Sequence, residues 1–251
     1  MLAPGSRREQ SRSGAPSGTV GETDTREALL AAAAVVFGES GYRNARVREI
    51  CRKAGANVAA VNYHFGGKEA LYAAVLKRGL RRMLERFPPD GGVPGDADPR
   101  DRLHGFVRSF LLRIFASGPD SGHGRLLAWE MIEPTPALDL LVRSEIRALA
   151  ERLEGIVGEL LGRVVEPGVI RACMASVVSQ VTFFQHCRPV VSRLFPDLRF
   201  EPAQLEQLAD HITRFSLAGI RRAAADAASA GATRGSRPAR PGRPGTRRMH
   251  P

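Results

Sequence analysis

The sequence predicts an all-α protein, a three-helix N-terminal unit followed by a larger helical bundle, about nine helices in all. Three observations carry that prediction. Apolar residues recur three and four apart along most of the chain with almost no strand alternation. Ala, Leu, Arg and Glu, all good helix formers, are abundant. Gly and Pro punctuate the periodic segments at their ends. Residues 1 to 22 and 229 to 251 are rich in Arg, Gly and Pro, with Ser besides in the first. Neither can bury enough apolar surface to offset the entropy of ordering, so both read as disordered tails. Between them, residues 23 to 87 form one unit and residues 88 to 228 another.

The first helix opens where Asp24 and Glu27 stand at capping-box spacing, carries Leu29, Ala33, Val36 and Phe37 on one face, and stops at Gly41. A second, Val47 to Ala54, turns Val47, Ile50, Cys51 and Ala54 inward. After a break at Gly55, Val58, Val61 and Phe65 give a third helix its inward side, and Gly66-Gly67 ends it. A fourth, about Lys68 to Arg86, buries Leu71, Val75, Met83 and Phe87 before Pro88-Pro89 stops it. Leu103, Phe106, Val107, Phe110 and Ile114 mark the next amphipathic helix, and a short one covers about Gly124 to Met131. Thr135-Pro136 launches a long helix bearing Leu138, Leu141, Val142, Leu149, Leu153, Ile156 and Leu160. From about Gly168 to Leu194 apolar residues lie nearly all round, which demands cover on several sides; a last helix runs from about Pro202 to Ala227.

The net charge of +11 is unevenly placed. Residues 23 to 87 hold twelve basic against six acidic side chains, residues 88 to 220 fourteen against seventeen, and residues 221 to 251 eight Arg against one Asp. A basic first unit before a mildly acidic body is the asymmetry expected when one end meets phosphate. Arg outnumbers Lys by 34 to 3, so the Arg-rich tail reflects general residue usage as readily as nucleic-acid attraction. Three scattered cysteines, Cys51, Cys173 and Cys187, make no disulfide framework, and a reducing cytoplasm is the expected compartment. Cys173 and Cys187, fourteen residues apart on one helix, are about 21 Å distant and cannot pair within the chain. The longest apolar run, Ala28 to Phe37, is far short of the roughly 20 residues that span a bilayer, and no membrane partner is expected.

The chemistry concentrates between Arg46 and Lys68. Two short helices joined by a tight Gly-containing turn hold the second helix proud of its unit, where its exposed face can enter a major groove. Asn57 caps that helix and reaches phosphate; Val58 lies on the reading face, and Ala59 and Ala60 are small enough for close approach to a thymine methyl. Asn62, Tyr63 and His64 offer donors to bases or phosphates. Arg46, Arg48 and Lys68 sit at helix starts, where backbone dipole and side-chain charge both favour phosphate.

The segment Thr25 to Tyr72, above all AGANVAAVNYHFGGKEALY, resembles the N-terminal domain of the TetR/AcrR family, whose typical pattern is AGVS-x-GTLY-x-HF-x-x-KE-x-L. Ala54, Gly55, His64, Phe65, Lys68, Glu69 and Leu71 coincide with it and Asn57 replaces the usual Ser. Asn62 stands at the usual Tyr position with Tyr63 one residue on, so both are candidates for the phosphate contact that family pattern assigns to Tyr. VNYHF, WEMIEPTPALDLLV and FFQHCRPVVSRLFPD are similar to the CecR-like subgroup of that family. The resemblance, spanning roughly residues 24 to 220, implies a TetR-like fold and a DNA-binding transcriptional regulator. It further implies a ligand-responsive repressor acting on a palindromic operator of double-stranded DNA, a homodimer joined through the last two long helices, and a small-molecule effector in the second domain, with no cofactor.

Outside that motif the signals are weaker. His104 or His123 with Phe106, Phe110, Trp129, Phe183 and Phe184 would suit an effector cavity, or equally core and dimer contacts. His186 and Cys187 carry metal-donor types, yet neighbours on a helix point about 100° apart and no second pair follows, so no metal site is expected. Glu130 and Glu133 lack any accompanying nucleophile or base and read as solvated or interface carboxylates, and Gly66-Gly67-Lys68 lacks the earlier glycine of a phosphate-binding loop. An enzyme is therefore not expected. The alternative is a helical interaction protein whose basic tail binds acidic partners or anionic membrane.

Overall fold

The structure is a computed structural model that describes residues 19 to 115, 122 to 162 and 165 to 235. Those residues contain α-helices, one π turn and no strand, as the periodicity predicts. The helices are α1 (Thr19–Asn44), α2 (Val47–Ala54), α3 (Val58–Phe65), α4 (Lys68–Arg86), α5 (Pro99–Phe115), α6 (Gly122–Ile132), α7 (Pro136–Leu141), α8 (Arg147–Leu161), α9 (Pro167–His186), α10 (Arg188–Leu194) and α11 (Pro202–Gly235). The effector-cavity candidate His123 and most of both tails lie outside the side chains described.

The chain divides into two compact units, and the division differs from the one expected at residue 87. The first unit takes residues up to Leu80 together with Asp120–Val142; the second takes Arg81–Pro119 and Arg143 onward. Helices α6 and α7 therefore belong with the N-terminal helices, not with the bundle. The reason is chemical: Leu126 and Ala137 enter the same apolar core as Leu29, Phe37, Ile50 and Leu71. That core is the stripe read from the sequence, since Leu29, Ala33, Val36 and Phe37 are all wholly buried. Two N-terminal expectations fail. Helix α1 begins at Thr19, so Asp24 and Glu27 lie within it, and the Thr25 hydroxyl bonds back to the Gly21 carbonyl at 2.9 Å. Val58 is 46% exposed, and Val61 alone anchors α3 in full burial.

In the second unit α5, α8, α9 and α11 surround Leu103, Val107, Leu111, Leu153, Val157, Val181 and Ala209. Two ion pairs and a hydrogen bond run along α5: Arg102 to Glu159 at 2.7 Å and Arg108 to Glu206 at 2.6 Å, with the His104 ring against Asp210 at 2.9 Å. Phe115 and Phe200 stack face to face at 4.3 Å. Thr135 caps α7 as expected, accepting from the Ala137 N–H at 3.2 Å. The long helix it starts is interrupted by a π turn, Val142–Ile146, whose extra residue rotates the apolar face and leaves Val142 exposed. The expected helix to Leu194 breaks at Cys187, and α11 outruns its expected end at Ala227, reaching Gly235 through an Ala-rich stretch of high helix propensity.

The loop after α4 lies hard against α5. A Cβ on Gly105 would fall 2.4 Å from the Asp90 carbonyl oxygen, and one on Gly91, which sits at φ +63°, would fall 2.5 Å from the Gly105 carbonyl oxygen. Backbone faces backbone, so neither can yield by a rotamer change. Gly105→Ala is expected to destabilise the protein by about 2 kcal/mol or more, lowering the melting temperature by several degrees; an unchanged melting curve would contradict this packing.

Candidate nucleic-acid interface

The helix pair α2 and α3 is held by its turn and its inward residues. Gly55 adopts the left-handed conformation at φ 66°, ψ 26°, which only glycine enters freely, and the Ala56 N–H closes back on the Cys51 carbonyl at 2.9 Å. Ile50, Cys51 and Val61 are buried. Asn57 caps α3, its Oδ1 accepting from the Ala60 N–H at 2.8 Å. A capped, glycine-turned helix pair thus presents its remaining side chains outward.

Those side chains are the ones the sequence singles out, with three differences. Arg46, Arg48, Asn57, Val58, Ala59, Asn62 and Tyr63 are exposed, Tyr63 by 73%. Arg46 occupies the N-cap of α2 without a side-chain cap bond, its carbonyl accepting from the Glu49 N–H at 3.0 Å, so its guanidinium is not engaged in capping. Ala60 is half-buried against the unit's core, which leaves Val58 and Ala59 as the apolar reading groups. His64 is half-buried between the rings of Tyr63 and Phe65, at 5.0 and 6.3 Å. Lys68 is turned partly inward: its ammonium donates to the Arg43 carbonyl at 3.3 Å and lies 4.7 Å from the centre of the Tyr42 ring, and burial lowers its pKa. It staples the end of α1 to the start of α4. Lys68→Met, which keeps the stem and removes the charge, is expected to cost about 1 to 2 kcal/mol of stability. Equilibrium unfolding measures it, and an unchanged stability would contradict the staple.

Several residues escaped the sequence reading. Glu130, expected as a solvated or interface carboxylate, is wholly buried within one chain. It accepts from the Tyr72 hydroxyl at 2.7 Å and from the Thr135 N–H and hydroxyl at 2.7 and 2.8 Å, which offsets the cost of its burial. Burial and the neighbouring carboxylate raise the Tyr72 pKa well above the ordinary phenol. Glu133 stays at the surface beside Arg43, at 3.4 Å. Arg113 is buried in the second unit, where its Nη1 donates to the Phe87 carbonyl at 2.9 Å and the Ser109 hydroxyl at 2.7 Å; desolvation lowers its pKa to about 10.

The effector-cavity residues are brought together only in part: Phe106 meets Phe110 at 6.3 Å and Phe183 meets Phe184 at 5.4 Å, but the set lines no common cavity. Trp129 belongs to the first unit and its ring covers Gly41. His104 is spent on Asp210, Phe106 is core, Phe110 lies beneath the Arg113 guanidinium at 5.5 Å, Phe184 packs against Phe200 and Phe183 is 52% exposed. The cleft described in the second unit, about 410 Å³, lies between α9 and α11 and is lined by none of them; Gly168, Ala172, Ser176, Gly219, Ala223 and Phe215 are among its walls. Among the described residues no group of three metal-donor side chains occurs. Helix α9 is, by length and composition, apolar enough to cross a membrane, with mean hydropathy 1.3, although polar residues leave it no long unbroken apolar run.

A capped, outward-facing pair of short helices joined by a left-handed glycine turn has the form of a helix-turn-helix unit. Residues 29–75 match the family model described as bacterial regulatory proteins of the tetR family, and residues 99–220 match the C-terminal domain of the HTH-type transcriptional dual regulator CecR. The chain belongs to the TetR family of transcriptional regulators and resembles CecR. CecR of Shigella flexneri is 29% identical over 161 residues, 59% of this chain and 69% of the relative. RutR of Escherichia coli K12 is 27% identical over 132 residues, 53% of this chain and 59% of the relative, so the match spans less than two thirds of RutR. Among solved structures, a transcriptional regulator from Rhodococcus sp. RHA1 aligns with TM-score 0.56 at 23% identity, covering 77% of this chain and 96% of its own. HlyIIR, a hemolysin II transcriptional regulator, aligns with TM-score 0.51 at 26% identity, covering 76% and 98%.

Proposed function

We propose that the chain is a ligand-responsive repressor that binds a palindromic operator as a homodimer in the cytoplasm. The observation that carries the DNA reading is the outward face of α2 and α3, polar, basic and small-residued while Ile50, Cys51 and Val61 are buried behind it. Arg46, Arg48 and Tyr63 contact phosphates and fix register; Val58, Ala59 and Asn62 meet base edges. His64 and Ala60 support that face from their half-buried positions, Asn57 orders it, and Lys68 holds the helix that follows.

Dimerisation is supported by α9, in which only 11% of an 18-residue apolar window is buried within one chain. A second copy covers this face, with Phe215, 65% exposed, available to fill the cleft of small residues between α9 and α11. The proposed response is to a small-molecule effector in the second domain, the part of the chain that resembles the C-terminal domain of CecR. A footprint on the DNA flanking the gene tests the proposal: protection of two half-sites about 34 to 36 Å apart is expected, and uniform protection with no preferred site at low salt would refute it.

A further inference from the structure

Among the described residues Glu130 is the buried carboxylate, and neither the DNA-facing side chains nor the α9–α11 cleft uses it. It lies in the segment matched by the second family model, yet it is built into the first unit. Its partner Tyr72, 58 residues away, packs edge-on against Phe37 at 4.9 Å and tilted against Tyr42 at 4.9 Å. Tyr42 in turn carries the Lys68 ammonium on its face, and Lys68 begins α4 two residues after Gly66 caps α3. A line of contacts thus runs from the Thr135 cap through Glu130, Tyr72 and Tyr42 to the exit of α3. Two further contacts lie beside it, Trp129 of α6 over Gly41 and Glu133, just past α6, beside Arg43. An apolar pair at 72 and 130 would fill the same space without the desolvation of a carboxylate. A buried hydrogen-bonded carboxylate is strongly directional and costly to leave half-satisfied, so it selects one arrangement of α1, α4 and α6 over slipped alternatives.

We infer that Glu130, acting through Tyr72, is a positioning residue of the DNA reader, and that α6 and α7 are a brace that sets the angle of α3. This rests on the DNA-binding reading above. The Tyr72 hydroxyl, with its pKa raised, remains a proton donor to Glu130 across the working pH range.

The test uses the full-length protein with Tyr72→Phe, Glu130→Gln and the double variant. Affinities are measured for a duplex selected from a random pool and for a scrambled duplex of the same length, at one salt concentration, beside thermal melts and sedimentation. Each single substitution is expected to lower the ratio of selected to scrambled affinity about tenfold, with scrambled affinity and dimer unchanged. The double variant should be no worse than the worse single, because both substitutions act on the same bond, one by deleting the hydroxyl and the other by replacing the carboxylate with an amide. A ratio unchanged within about twofold, even with a lowered melting temperature, overturns the proposal and leaves Glu130 a core residue. If Glu130→Gln fails to fold, Tyr72→Phe, which keeps the ring packing, decides. A wild type that shows no preference for any selected duplex overturns the DNA-binding reading and this inference with it, whereas a wild-type preference kept by Tyr72→Phe overturns the inference alone.

Discussion

Replacing Arg46 and Arg48 together by alanine is expected to weaken binding to selected and scrambled duplexes alike, by about a hundredfold or more at moderate salt. Both side chains are exposed and Arg46 makes no cap bond, so the fold should lose nothing measurable. A dimer would lose four phosphate contacts. Charge-assisted bonds contribute roughly 1.5 to 3 kcal/mol each, discounted here for screening at an exposed surface. The slope of log affinity against log salt should become shallower by about three to four, at about 0.9 per phosphate. A salt titration of Kd checks both numbers; loss confined to the selected duplex would show that these arginines read bases.

Gly219→Glu is expected to convert the dimer into a monomer and, with it, to remove operator binding. Gly219 is exposed on α11, and a Cβ there meets nothing within 4 Å, so one copy of the chain accommodates the side chain. The same side chain would place a carboxylate in the cleft that a second copy is proposed to fill, where an unpaired buried charge costs several kcal/mol. Sedimentation should show the monomer with an unchanged circular dichroism spectrum. Specific affinity should fall by about a thousandfold or more, because a single half-site loses the avidity of two joined ones. A dimer that persists would place the interface elsewhere.

The first unit was legible because its signals are local. Periodicity marked Leu29, Ala33, Val36 and Phe37, glycine marked the turn at Gly55, and an Asn before an apolar run marked the α3 cap; each depends on neighbours within a few residues. The same locality explains the overestimate of Val58 and Ala60, since a helix wheel gives direction but not how much of each face is covered. What stayed hidden is non-local. Glu130 looked like a surface carboxylate beside Glu133, and nothing near it in sequence announces Tyr72 or the transfer of α6 and α7 to the N-terminal core. The aromatic residues grouped as an effector cavity failed for the same reason: side-chain type suggested a common lining, while the fold sends Trp129 to Gly41 and Phe106 into the bundle core. Helix α9 was legible as apolar nearly all round but not as long enough to span a bilayer, because Arg171, Ser176, Ser179 and Gln180 break its apolar residues into short runs.

The central claim is that α2 and α3 of a paired chain read DNA. Selection of bound duplexes from a random pool by the full-length protein tests it most directly. The account predicts enrichment of an inverted repeat, two half-sites with centres about 10 base pairs or a multiple of that apart, lost together in the Arg46, Arg48 double variant. Recovery of no common sequence, or of a single half-site bound by one copy, would contradict it.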